Sequence, residues 1–360
     1  KNPYIHPVLQ DPSYIKGYDP SFTVIRNIYD KDGNPLNYKL EKGKVLFTNY
    51  SLEDNYLKIL LPKSLLPGES FFLKILFSTK FPQAYLGDAS FAKDAFVWRF
   101  GWFPYEIPYV KDEWDKGGRL VSSNFYLELL VPKEYKVAVG MDEVREEVEG
   151  NWKRVIGVND SPRRSLPIAI SPDYQVYRLA DGRFPEIYVY FYPGREYKAR
   201  ILASFAREVY DYYSKVYGSS EHRRINIIEG QINNFWGMAA DGFVILGNTA
   251  FYSSDLITPY LWERLLEYLI AHEFAHLLYN FFKDKISSKI VKEALERAIS
   301  KKESIENVLK EKEKISSAEI LSNFVSEVIQ ENKKAVKDFL AGNQKSFEFL
   351  IGEIMKKTQG

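Results

Sequence analysis

All 26 tyrosines, all six tryptophans and all 17 prolines of this 360-residue chain precede residue 280, and residues 281–360 contain none of the three. A uniform spread would put about eleven there, so the two parts differ in composition and are expected to fold as separate units. Charge divides at the same place: residues 281–360 hold 16 Lys and Arg against 13 Asp and Glu, a net +3, and residues 1–280 net −2. The boundary is expected near Asp284.

Over the whole chain 49 basic residues face 48 acidic ones, which removes any argument for a globally basic nucleic-acid binder and leaves local patches open. A hydrophobic share of 45% with 27% charged residues describes a globular chain and excludes disorder, collagen and coiled coil. The absence of cysteine excludes disulfides, thiol catalysis and thiolate-ligated metals, and fits either redox compartment. The best apolar stretch, 268–282, is interrupted by His272, Glu273 and His276, so no run approaches the roughly 20 residues that span a bilayer. The chain begins at Lys1 with neither Met nor a signal-like apolar region, which reads as a processed form or a fragment.

From residue 22 to about 168, short apolar runs alternate with polar residues and are punctuated by Asp32-Gly33-Asn34-Pro35 and Pro67-Gly68-Glu69. Strands are predicted over 44–48, 56–61, 71–78, 125–131 and 136–139, giving a sandwich-like β domain. The aromatic run from Phe96 to Tyr105 reads as core and inter-domain packing, with ligand stacking as the alternative. Beyond residue 186 the pattern becomes mixed: a strand over 187–191, a helix over 195–217, a strand over 224–228, a Gly-rich turn, and a strand over 243–246. A long helix follows from Pro259, a first-turn proline, to about Phe282. The tail carries only helical periodicity, with capping-box spellings at Ser300 to Glu303 and Ser316 to Glu319, and is expected to hold about four helices.

The chemistry-bearing motif lies on the long helix. His272-Glu273-Phe274-Ala275-His276 spells H-E-x-x-H, and chance produces it in on the order of a few per thousand chains of this length. Residues i and i+4 of a helix share a face about 6 Å apart along the axis, so two imidazoles can hold one Zn²⁺ from one side. Glu273, beside them, is placed to take a proton from an attacking water rather than to ligate the metal. Leu265, Leu266, Leu269, Ile270, Phe274, Leu277 and Leu278 are expected to bury the helix and exclude water from the site. The bland alternative is two histidines packed in a core.

Phe77-Ser78-Thr79-Lys80-Phe81-Pro82, Gly101-Trp102-Phe103-Pro104, Val131-Pro132-Lys133-Glu134-Tyr135 and Gly237-Met238, together with the helix motif, give residues 1–280 a likeness. This segment resembles the gluzincin zinc aminopeptidases, the aminopeptidase N and leukotriene-A4 hydrolase family. The resemblance implies zinc ligands at His272 and His276, a general base at Glu273, and a substrate-binding edge strand at Gly237 and Met238 beside a peptide substrate. In that family a Gly-x-Met-Glu-Asn stretch grips the substrate amine through its Glu. Ala239 stands at that position here, with Asp241 as a weak substitute. The family's third zinc ligand, a Glu, falls at Leu295, flanked by Glu293 and Glu296. Asp284, about 12 Å along the helix axis from His276, does not reach the metal without a bend. The family's transition-state Tyr has no counterpart, since no Tyr follows Tyr279. A degraded site is the consequence of this reading.

The tail has its own likeness. Residues 286–293, 328–336 and 340–345, and the ending Gly352-Glu353-Ile354-Met355-Lys356-Lys357-Thr358-Gln359-Gly360, resemble the YqeY-like helical domain in the B subunit of aspartyl/glutamyl-tRNA amidotransferase. The resemblance implies tRNA as a partner, with Lys333, Lys334, Lys337, Lys345, Lys356 and Lys357 as phosphate contacts. The alternative for these lysines is a solvated helix face.

The expected fold is therefore multidomain α+β. A β-sandwich-like domain spans 1–170, a truncated thermolysin-like α+β domain with the motif helix spans 171–283, and an all-α module spans 284–360. The first functional expectation is a zinc metallopeptidase-like protein of aminopeptidase type with an incomplete site, its peptidase part joined to a foreign tail. The second is a tRNA-binding, amidotransferase-related protein acting through its tail. The two likenesses point to different compartments, export for many of the peptidases and the cytosol for the amidotransferases, with the cytoplasm slightly favoured.

Overall fold

A computed structural model describes residues 19, 21–44, 51–66, 68–83, 89–92, 95–110, 113–114, 120–217, 220–230, 237–252, 259–285 and 327–340, with a few positions near residue 350. The first strands are β1 (Phe22–Tyr29), β2 (Tyr38–Lys44), β3 (Ser51–Ile59), β4 (Lys74–Lys80), β5 (Ala89–Ala92), β6 (Ala95–Trp98), β7 (Tyr109–Val110) and β8 (Glu113–Trp114). They are followed by β9 (Tyr126–Pro132), β10 (Lys136–Val139), β11 (Glu143–Glu149), β12 (Trp152–Val158), β13 (Ile168–Ser171), β14 (Gln175–Leu179) and β15 (Glu186–Phe191). After helix α1 (Glu196–Tyr217) come β16 (Arg224–Gly230), β17 (Gly237–Ala240) and β18 (Phe243–Gly247), then helices α2 (Thr249–Tyr252), α3 (Pro259–Lys285) and α4 (Lys333–Leu340). The chain divides into two compact units, residues 1–210 with 220–284, and residues 211–219 with 285–360. Among the described residues no helix is long and apolar enough to cross a membrane.

Three sheets of the first unit stack, and the alternation of side chains along the middle one explains why. That sheet has the order β10-β13-β6-β5. Trp98, Val137, Val139, Ile168 and Ile170 point to one face, where they meet Leu127, Val131 and Val155 of the three-stranded sheet β11-β12-β9. Their neighbours in sequence, Val97, Ala138 and Ala169, point to the other face and pack against Tyr174, Tyr190, Ile228, Phe243 and Ile245. Those five belong to or flank the five-stranded sheet β14-β15-β16-β18-β17. A period of two sends successive residues to opposite sides, so a strand buried on both faces reads as a continuous apolar run. The alanines let the five-stranded sheet approach closely.

In the five-stranded sheet, β15, β16 and β18 are parallel, and β14 and β17 close its two edges in the antiparallel sense. Joining β15 to a parallel β16 requires a crossover, which α1 provides. Its Ala199, Leu202, Ala203, Ala206 and Tyr210, at helical spacing, are all buried. A buried ion pair ties the layers: Arg163 donates to both carboxylate oxygens of Asp142 at 2.9 and 2.7 Å, and Asp142 also accepts from the backbone N–H groups of Asp160 and Arg223.

Several sequence expectations shift. The Gly-rich turn ahead of residue 243 contains strand β17, because Gly237 to Ala240 pair in register with Phe243 to Leu246. The strand predicted over 71–78 starts at Lys74, and the one predicted over 44–48 corresponds to a strand that ends at Lys44, its remainder lying outside the described residues. The capping boxes at Ser300 and Ser316 and most of the predicted tail helices also lie outside the described residues.

Candidate active site

Helix α3 presents two faces of different character. Leu266, Ile270, Phe274 and Leu277 are buried, as is Glu273 at 3% exposed, while His272 and His276 lie on the exposed face. Water is therefore not excluded from the imidazoles as the flanking leucines suggest. Leu265 is itself 44% exposed, because it shares the outward face with Tyr268 and His272 rather than the stripe at 266, 270 and 274. Leu278 lies among the positions whose side chains are not described.

The Nε2 atoms of His272 and His276 are 3.1 Å apart, with ring planes at 81°. Two nitrogens bound tetrahedrally to one zinc at about 2.0–2.1 Å would be about 3.3–3.4 Å apart. The observed 3.1 Å is a hydrogen bond between the two rings, and it also lies within a few tenths of an ångström of what two of the three protein ligands of a catalytic zinc need. Among the described residues no group of three His, Cys, Asp or Glu side chains converges. Leu295, where the resemblance places the third ligand, and its neighbours Glu293 and Glu296 lie outside the described residues.

Glu273 points away from solvent toward the edge strand β17. A Cβ placed on Gly237 would lie 2.5 Å from Glu273 Oε1, so the absence of a side chain at 237 is what admits the carboxylate. Burial pushes the Glu273 carboxyl up to about 7, opposed by the positive charge of Arg99. His276, although on the exposed face, is partly shielded by its neighbours, and this desolvation lowers it from the ordinary imidazole value, followed by His272 and Arg99. Arg99, just after β6, donates from Nη1 to the Ala239 carbonyl at 3.5 Å and lies over the Phe100 ring at 4.5 Å. It carries no motif signature, and a reading of the aromatic run as packing passes over it.

Asp241 does not substitute for an amine-binding carboxylate. Its Oδ2 accepts from the backbone N–H groups of Arg164 and Ser165, both at 2.9 Å, and from Ser165 Oγ at 3.1 Å. It is a buried brace between the sheets. The aromatic run does pack as expected, since Phe81 meets Phe96 and Trp98 at centroid distances of 4.7 and 4.5 Å, and Trp102 donates to the Leu166 carbonyl. Part of the run, Phe100, Phe103 and Tyr105, also lines a cavity of about 180 Å³ with Glu106, Arg164 and Ser165. Burial raises the Tyr105 hydroxyl to about 12.

In the second unit Lys333, Lys334 and Lys337 are exposed along α4, whereas Lys345, Lys356 and Lys357 lie outside the described residues.

The layered sheets define a sheet-rich α+β protein, and its fold is similar to that of Legionella pneumophila aminopeptidase A, solved in complex with aspartic acid. The TM-score is 0.51 at 14% identity, covering 72% of this chain and 29% of that one. In sequence, a GatB domain matches residues 265–360. The B subunit of the aspartyl/glutamyl-tRNA(Asn/Gln) amidotransferase of Rickettsia canadensis is 37% identical over 89 residues, covering 24% of this chain and 18% of that protein. The Methanopyrus kandleri protein of the same name is 34% identical over 90 residues, covering 24% and 20%. A Synechococcus one is 30% identical over 156 residues, covering 41% and 32%. The chain spans about a fifth of the length of the first two relatives. The GatB match begins before His272, so it takes in the H-E-x-x-H residues as well as the tail.

Proposed function

We propose that the first unit carries a zinc-dependent peptidase site of the aminopeptidase type, with His272 and His276 as ligands and Glu273 as general base. The observation that carries this reading is the pair of Nε2 atoms 3.1 Å apart on helix α3, with Glu273 next to His272 in sequence and its carboxylate buried against edge strand β17. A bound Zn²⁺ would polarise the scissile carbonyl and acidify a water. Edge strand β17, at Gly237 and Met238, offers backbone groups along which an extended peptide can align as an added strand. Glu273, held near neutrality, takes the proton of the attacking water and returns it to the leaving amine. With two nitrogens and no third ligand among the described residues, zinc is held more weakly than in a three-ligand site.

The test is hydrolysis of alanine p-nitroanilide by the zinc-supplemented full chain. Glu273→Gln is expected to lower the rate by about 10²-fold or more while zinc stays bound. Equal rates in the two proteins would rule the mechanism out.

The GatB match over residues 265–360 favours a second reading, in which the tail binds tRNA and the sheet-rich unit serves as a scaffold. Lys333, Lys334 and Lys337 are the described candidates for phosphate contacts.

A further inference from the structure

Helix α3 turns its two imidazoles outward together with the residues above and below them. At about 100° per residue, positions 265, 268, 272 and 276 fall within one arc of about 80° around the helix axis. Leu265, Tyr268, His272 and His276 are all exposed, Leu265 by 44% and Tyr268 by 69%. They form a strip roughly 16 Å long, with the Tyr268, His272 and His276 rings following one another at centroid distances of 6.1 and 4.7 Å. Ala275, at the border of the strip, is exposed and small. Arg264, at the same border, pairs with Glu267 at 2.9 Å, so the described charge there is already balanced.

A closed zinc site takes four ligands in a tetrahedron, and this pair of Nε2 atoms supplies two. Because the pair stands on an exposed helix face, a second molecule can bring the same two nitrogens to the same ion. A twofold axis through the metal makes the pairs equivalent and sets the strip against its own copy, where Leu265 and Tyr268 lose apolar surface to water. We propose that His272 and His276 are half of a four-nitrogen zinc site whose other half is the same pair in a second copy of this chain. The proposal shares with the peptidase reading only the two ligands. An ion held by four imidazoles has no open position for water, so the paired chains are closed to hydrolysis and must separate before either acts on a peptide.

The test is the mass of the metal-free full chain in sedimentation as zinc is added from none to excess. The mass should double at half an equivalent of zinc per chain, and return to that of one chain in excess zinc, when each pair takes its own ion. His272→Ala should stay single throughout. Ala275→Arg places bulk and positive charge beside the rings and leaves both imidazoles, so it should bind zinc and stay single. A mass that does not double at half an equivalent in the unaltered chain would overturn the proposal, as would doubling in either variant or doubling that survives chelation. Zinc bound by single chains at every ratio sinks the shared site and leaves the peptidase site standing. A doubled mass at half an equivalent, with no hydrolysis in excess zinc, sinks the peptidase reading alone.

Discussion

Glu273 and His222 show how the same burial acts on opposite charges. Each is 3% exposed. Burial disfavours the charged form of both, raising the Glu273 carboxyl to about 7 and pulling His222 well below the ordinary imidazole value, with Arg163 adding to the second effect. His222 thus stays neutral in the folded chain at a pH where the unfolded chain, with a pKa near 6.5, already takes up a proton. The sign follows: stability contributed by neutral His222 is complete above about pH 6.5 and is lost as pH falls, at up to about 1.4 kcal/mol per unit, until the folded group itself titrates. Urea unfolding at pH 7.5 and pH 5 should show this loss in the unaltered chain and a smaller one in His222→Gln. An identical pH response in the two proteins would assign the acid sensitivity to other groups. Neither the part played by His222 nor that of Arg99 is legible residue by residue. His222 has no motif, and Arg99 sits inside an aromatic run whose packing role is real. The H-E-x-x-H spelling, by contrast, singles out His272, Glu273 and His276 as candidates through spacing alone.

The elements with continuous apolar content are the most legible. The strand predicted over 136–139 is β10, and the helix predicted over 195–217 is α1 to within a residue, because a doubly buried strand and an amphipathic helix each leave a period in the sequence. Without the family resemblance, which implies an edge strand at Gly237 and Met238, β17 reads as a turn because Gly-Met-Ala-Ala has little strand propensity, and its pairing is set by β18. The glycine that lowers that propensity is the residue that admits Glu273. Gly237→Ala should therefore displace the carboxylate, a flexible group, rather than unfold the sheet. Its expected signature is a fall in hydrolysis of about tenfold or more with zinc affinity unchanged. A lower melting temperature with an unaltered rate per folded molecule would show that Glu273 does not depend on this approach.

At the scale of the whole molecule, one border of the compact units lies between residues 284 and 285, next to the compositional break, while residues 211–219, which precede the break, are grouped with 285–360. The composition changes there because an aromatic sheet core and a lysine-rich tail without Tyr, Trp or Pro draw on different residues. Helix α3 holds the histidine pair, and the GatB match begins within it. If the tail also binds tRNA, the logarithm of the affinity should fall linearly with log salt, and replacing Lys333, Lys334 and Lys337 with alanine should reduce that slope by about one for each phosphate no longer neutralised. A filter-binding titration across salt concentrations measures it, and a slope unchanged in the triple variant would remove α4 from the interface.

The proposed peptidase site requires that His272 and His276 hold one metal ion between them. A zinc titration of the full chain, followed by calorimetry, tests it most directly. The expected result is one zinc per chain, lost in both His272→Ala and His276→Ala and retained in His222→Gln. Zinc binding that is absent from the unaltered chain, or that persists undiminished in His272→Ala, would contradict it.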